Sequence, residues 1–267
     1  MATQPPRAVL LDMDGVLYRG DDAIPGAAET VAWLRDEGVP HLFLTNTTSR
    51  PRAALVEKLG GMGIEVEEDA ILTPPVAARG WLAEHAPGPA ALFVPDATAG
   101  EFADLERLPD DAEEGAASVV LGDLGPGWSF ARLNRAFRLL MADPQPALVA
   151  LGMTRYWRAP DGLRLDVAPF VVALQHASGA EPVVLGKPAP PFFERALGMV
   201  GTEAAATVCV GDDVVGDVGG AQKAGIRGIQ VRTGMFRPAD LEGAVSPDAV
   251  LDSVADLPGW WREQGRG

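Results

Sequence analysis

The chain has 267 residues, room for one large domain or two smaller ones, and 47% of them are hydrophobic, enough for a packed core. Charged residues make up 22%, a balance that argues against intrinsic disorder. Lys and Arg number 22 against 37 Asp and Glu, a formal charge of -15, which speaks against nucleic acid and anionic membrane surfaces as partners while leaving open a small anionic ligand met by a local site.

Short apolar runs alternate with amphipathic stretches, the pattern of an α/β protein. AVLL (8–11) reads as a buried strand, and 25–38 as a helix with Pro25 in its first turn and Gly38 at its stop. HLFL (41–44) is the next strand. Helices are expected over 49–63, with a Ser cap and a double-Gly stop, and over 74–86. PGP (87–89) reads as a hinge, and a second alternating set follows: strands over 91–94 and 118–124, a helix over 129–143, a strand over 147–152, then strand end plus helix over 166–179. In the 129–143 helix Phe130, Leu133, Phe137, Leu140 and Met141 share one face. PVVLGKP (182–188) and TVCVGDD (207–213) return to the first style. The expected organisation is a discontinuous core, 1–87 and 182–267, with an insert at 88–181. The single cysteine, Cys209, excludes an intramolecular disulfide and fits a reducing compartment; inside TVCV it reads as a small buried hydrophobe. No apolar window reaches a membrane span and no signal-peptide h-region opens the chain, so a cytoplasmic protein is expected.

The polar residues fall where the apolar runs stop. AVLL ends in Asp12, HLFL in Thr45-Asn46, PVVLG in Lys187 and TVCVG in Asp212-Asp213. In an open parallel sheet, ligands bind just beyond the carboxyl ends of the strands. Asp12 and Asp14 are two residues apart, so an extended chain points them to one side. With Asp212, Asp213 and Asp217 they form an all-oxygen set suited to Mg²⁺, with Mn²⁺ the other cation that accepts such ligands. The metal would offset the carboxylate repulsion. A carboxylate can also attack phosphorus to form an aspartyl-phosphate, and an anionic nucleophile meeting an anionic phosphate needs positive charge nearby, which the metal and Lys187 can supply. Thr45 and the backbone amides near Asn46 can hydrogen-bond the transferring oxygens. A second carboxylate can protonate the leaving group and later deprotonate water, a task for which Asp14 is placed.

DMDGV, the Thr45-Asn46 pair, Lys187 in GKP, and GDDVVGD (211–217) resemble, in order, the four motifs of the haloacid dehalogenase superfamily. An insert between the second and third motifs, with GKPAPPFFERAL, GDDVVGDVGGAQKAGIRGIQVRTG and FRP, is similar to the capped phosphatase branch known as class IIA. The resemblance implies a Rossmann-like parallel-sheet core, with a smaller α/β cap inserted between motifs two and three. It implies Asp12 as nucleophile and metal ligand, and Asp14 as acid/base and as a ligand through its carbonyl. Thr45 and Lys187 would hold the phosphoryl group, with Asn46 beside them; Asp212 would be the third protein ligand, with Asp213 and Asp217 in support. It implies Mg²⁺ as cofactor, a small phosphorylated substrate (a phosphomonoester, a phosphoramidate or pyrophosphate) and a homodimer through the cap. An Asp at position 14 favours a phosphatase over a dehalogenase.

The polar, aromatic stretch GMTRYWRAPDG (152–162) carries Arg155, Tyr156, Trp157 and Arg158. From the residues alone it reads equally as an exposed β-turn or as a substrate-specificity loop; the resemblance implies the second. His41, His85 and His176 show no metal-ligand spacing and are assigned no chemistry. A phosphate-sensing binding module with vestigial hydrolysis is the alternative reading, against which the intact nucleophile and Asp14 argue.

Overall fold

The computed structural model describes residues 5–159 and 161–265. The ends of the expected core, 1–4 and 266–267, and Pro160 of the aromatic loop lie outside the described residues. The chain forms two compact units. The first comprises Met1–Thr45, Arg52–Leu72 and Lys187–Gly267; the second comprises Asn46–Pro51 and Thr73–Gly186. The helix Pro74–His85, assigned to the core from the sequence, groups with the second unit. Thr73 caps it by accepting from the Val76 amide, and prolines fill its first turn, where no N–H is needed.

The first unit is built on a six-stranded parallel sheet in the order Ala249–Leu251, Arg227–Val231, Thr207–Gly211, Ala8–Asp12, His41–Leu44, Ile71–Leu72. Every residue of Ala8–Asp12 and of Thr207–Gly211 is buried, as expected for central strands covered on both faces by helices. Val9, Leu11, Phe43, Leu55, Leu59, Val208, Val210 and Ile229 belong to one core cluster. The helix Ala27–Asp36 adds Ala27, Val31 and Leu34 at the spacing of one helical face. From Ala8–Asp12 the chain builds the sheet outward to one side, then returns at Thr207–Gly211 and builds outward to the other. The order therefore reverses between these two strands, and their carboxyl ends frame the crevice where doubly wound sheets bind ligands.

The second unit has a four-stranded parallel sheet, Pro182–Val184, Ala147–Ala150, Ser118–Leu121, Ala90–Phe93, and a separate antiparallel hairpin, Tyr156–Ala159 with Gly162–Leu165. Its core gathers Phe93, Val119, Leu121, Leu139, Leu148, Val171 and Leu174. Trp128 stacks between Phe93 and Phe170, with ring centroids 5.7 and 4.6 Å away. One sequence expectation is corrected here. The run at 182–188, read as a core strand, contributes Pro182–Val184 to the edge of this sheet, paired with Ala147–Ala150; an apolar run specifies a strand but not the sheet it joins. In the helix Phe130–Leu140, Ala136, Leu139 and Leu140 are buried, Leu133 and Phe137 are half-buried, and Phe130 and Met141 are 84% and 56% exposed, so the apolar face is covered toward its C-terminal end.

Candidate active site

Asp12 closes its strand with the side chain buried. Lys187 donates a short hydrogen bond from Nζ to Asp12 Oδ1 and a second, 2.6 Å, to Asp217 Oδ1, and all three side chains are buried. The other oxygen of Asp217 accepts from the Asp213 amide at 3.2 Å. Asp217 sits in a π-helical turn, Val214–Gly219, whose start Asp213 caps by accepting from the Val215 amide at 2.9 Å. Single π turns recur at functional sites because the extra residue re-aims a side chain. Gly211 makes room for this: a Cβ there would lie 2.1 Å from Asp217 Cβ.

Asp212 is gripped from several directions. Its Oδ2 accepts from the Met235 amide at 2.7 Å, and its backbone carbonyl accepts from Gln230 Nε2 at 2.7 Å. Gly15 (φ 90°) and Gly234 (φ 66°) lie against the carboxylate, where an added Cβ would fall 2.0 and 1.9 Å from Oδ2. Both positions need glycine twice over, for the left-handed backbone and for the close approach. Thr233 Oγ1 donates to the Gly15 carbonyl at 2.5 Å and Arg19 Nη2 to the Gly234 carbonyl at 2.7 Å, tying the loop after Asp14 to the turn after Val231.

One carboxylate oxygen from each of Asp12, Asp212 and Asp217 lies within 4.8 Å of the others. Asp14 is exposed and its carboxylate stands outside this trio; it lines a cavity of about 810 Å³ with Asp212, Asp213, Arg19, Met235 and Arg237. Thr45 is buried one residue beyond Leu44, the partner of Asp12 in the register, and its amide donates to the Leu72 carbonyl at 3.2 Å. Asn46 is exposed and counts with the second unit. So do the exposed Arg155, Tyr156, Trp157 and Arg158, of which the last three lie in the first strand of the hairpin and Arg155 just before it. Trp157 faces Arg164 across the hairpin, with its ring 5.9 Å from the guanidinium, and lines a cavity of about 640 Å³ with Arg164, Leu165 and Phe170. The residues that sequence reasoning missed are Gly15, Gln230, Thr233, Gly234 and the Met235 amide. The Thr233-Gly234 pair just beyond the strand-like run RGIQV was the signal available for the last of them.

Burial pushes the Asp12 carboxyl well above its usual value; Lys187 opposes that shift, and Asp217 and Asp212 add to it. Burial likewise raises Asp212, to about 6, against the Met235 amide and with Asp217 reinforcing. Burial alone would lower the Lys187 ammonium, but Asp12 and Asp217 outweigh it and hold the group above its ordinary value. Lys187 therefore stays charged. Counted formally, three carboxylates against one ammonium carry two negative charges, which a divalent cation with hard-oxygen preference fits in charge and in donor type. Cys209 is buried and its thiol is pushed up by burial, so it is an inert core residue. His41 bonds the Val39 carbonyl at 2.8 Å and His85 stacks on Trp81 at 4.9 Å, local roles away from this chemistry.

A haloacid dehalogenase-like hydrolase family model matches residues 9–105, and a HAD-hydrolase-like model matches 184–257. The two matched stretches contain Asp12, Asp14, Thr45, Lys187, Asp212, Asp213 and Asp217. The chain belongs to the haloacid dehalogenase-like hydrolases. Within that family it falls in the capped class IIA branch and is a phosphatase. It is 40% identical over 255 residues to the human phospholysine phosphohistidine inorganic pyrophosphate phosphatase, covering 94% of this chain and 92% of that protein. Among solved structures, a hypothetical protein of Pyrococcus horikoshii superposes with a TM-score of 0.86 at 29% identity, covering 95% of this chain and 98% of the other. The 4-nitrophenylphosphatase of Thermotoga maritima gives 0.83 at 27%, covering 95% and 97%. Haloacid dehalogenase phosphatases generally use Mg²⁺, in keeping with the acidic trio.

Proposed function

We propose that this phosphatase hydrolyses a small phosphorylated metabolite, a phosphomonoester, a phosphoramidate or pyrophosphate, through an aspartyl-phosphate on Asp12. The observation that carries the reading is the Asp12 carboxylate held by the Lys187 ammonium at the switch point of the sheet, with Asp212 and Asp217 beside it. Lys187 opposes the burial that disfavours the charged form of Asp12. The Asp12 oxygen attacks phosphorus as the bond to the leaving group breaks, and Asp14, exposed on the cavity wall, gives the leaving group its proton. Asp14 then takes a proton from water, which attacks the phosphorus of the aspartyl-phosphate and regenerates Asp12. Lys187 and Thr45 hold the phosphoryl oxygens, and Asn46 belongs to the same set. Asp12, the Asp14 carbonyl and Asp212 would hold Mg²⁺, or Mn²⁺, with Asp213 and Asp217 in support. The ion supplies charge neutralisation of the phosphoryl oxygens.

The insert serves as the cap, and Arg155, Tyr156, Trp157 and Arg158 select the leaving group. Two arginines and two aromatics suit one that is anionic or ring-bearing. The human relative's name supports pyrophosphate and phosphoramidates as first substrates to try, and the nitrophenylphosphatase title supports aryl phosphates. The protein pairs as a homodimer through the cap and works in the cytoplasm, where its lone cysteine stays reduced. No helix among the described residues is long and apolar enough to cross a membrane.

The test is phosphate release from an aryl phosphate, pyrophosphate, sugar phosphates, pyridoxal phosphate and nucleotides, with and without Mg²⁺, by wild type and Asp12→Asn. Metal-dependent release that falls about a thousandfold or more in Asp12→Asn is expected. Release that persists in the variant would remove Asp12 from the nucleophile's role. A folded, metal-loaded wild type inert on every member would favour the sensing module instead.

A further inference from the structure

We propose that the Gln230–Met235 turn is the device that positions Asp212, with Gln230 as its buried anchor. The inference rests on reading Asp212 as a metal ligand. Gln230 is 0% exposed and stands opposite Gly211 at the last paired position of the two strands. The register of the two strands ends there. The Gln230 side chain takes over. Its Nε2 donates to the Asp212 carbonyl at 2.7 Å and to the Val231 carbonyl at 2.9 Å, bridging the two chains where the ladder stops.

The orientation of this amide follows from its partners. Turned over, its oxygen would face two carbonyl oxygens, so the NH₂ group must point at them. The remaining Oε1 is buried with no partner among the described residues. A buried polar atom left unpaired is unfavourable, and an apolar side chain of similar size would avoid it. The amide is thus present for its two donor contacts rather than for filling space. From this anchor the turn reaches Asp212 by a second route, the Met235 amide on Oδ2, and reaches the Asp14 loop through Thr233 on the Gly15 carbonyl. Backbone and carboxylate of one residue are therefore held by one turn, while the same turn fixes the loop that carries Asp14. Groups that orient a metal ligand from behind typically change metal affinity by about ten- to a hundredfold when removed.

The experiment titrates Mn²⁺ into wild type, Gln230→Leu, Thr233→Val and Asp212→Asn, following the free ion by electron paramagnetic resonance, with circular dichroism to establish folding. Phosphate release as a function of Mg²⁺ is read in parallel. Gln230→Leu is expected to weaken Mn²⁺ binding by about ten- to a hundredfold and to raise the half-saturating Mg²⁺ by the same factor, while kcat at saturating metal changes far less. Thr233→Val is expected to shift both in the same direction by about severalfold, and it decides the matter if Gln230→Leu does not fold. Folded variants that bind Mn²⁺ like wild type would overturn this inference alone. A wild type that binds Mn²⁺ no better than Asp212→Asn would overturn the metal reading of Asp212, and this inference with it.

Discussion

At the scale of single residues, the site is a balance of charge that one lysine holds. Lys187 is buried between Asp12 and Asp217, so Lys187→Met leaves two carboxylates facing each other without a counter-charge. Removing one partner of a buried ion pair typically destabilises by about 3–5 kcal/mol. Urea unfolding at neutral pH should show a loss of that order, and added Mg²⁺ should restore part of it; a loss within about 0.5 kcal/mol would mean the pair is not a structural counterweight. Gly234 makes a second residue-scale case. Its positive φ and the 1.9 Å approach of a would-be Cβ to Asp212 mean that Gly234→Ala must move the carboxylate or the turn. We expect a stability loss of about 1–3 kcal/mol together with weakened metal binding, checked by denaturation and metal titration on the same sample.

At the scale of elements, legibility followed how local the signal was. Ala8–Asp12 and Thr207–Gly211 are apolar runs that stop in aspartates, and that pattern pointed to both strands and to the chemistry at their ends. Lys187 was expected at the end of a core strand, but the strand before it belongs to the other sheet; a three-residue run holds no information about its neighbour. The two-residue strand Ile71–Leu72 is too short to carry any period. Gln230 reads as an ordinary polar residue in a strand, and only the end of the pairing with Thr207–Gly211 gives its amide a task. Asp166, just before the helix Ala168–Ser178, shows local and tertiary effects in conflict. A carboxylate at a helix start is normally favoured in its charged form, and its Oδ1 does accept from the Val167 amide at 2.6 Å. Burial nonetheless raises its pKa, with Asp123 adding to the shift. A raised folded-state value means the native protein holds the proton more tightly than the unfolded chain. Its contribution is therefore fully present below the ordinary value of 3.8 and lost as pH rises through the folded-state value. Asp166→Asn should raise the melting temperature at neutral pH, and the gain should fade as the pH falls through the folded-state value and be gone below 3.8. A gain that is absent at neutral pH would show that the amide bond outweighs burial.

At the scale of the whole molecule, the acidic trio joins distant parts of the chain, and its three carboxylates all lie in the first unit. Asp12 comes from before the second unit and Asp212 and Asp217 from after it. That first unit is discontinuous in sequence, whereas the second is nearly one stretch, Thr73–Gly186, with its own sheet and core. A unit of that size with its own core can unfold as a unit of its own. A ligand that binds the folded state adds stability by mass action, about 2.7 kcal/mol at a hundred times its dissociation constant, and only to the unit that binds it. Calorimetry is therefore expected to resolve two transitions, of which Mg²⁺ raises one and leaves the other in place. The formal charge of -15 adds a second effect, because any salt relieves self-repulsion across the whole chain. The comparison must be made at matched ionic strength, where screening is common to both samples. A saturating rise confined to one transition and lost in Asp212→Asn would place the ion at the trio. Equal shifts of both transitions, unchanged in Asp212→Asn, would reduce the effect of Mg²⁺ to screening.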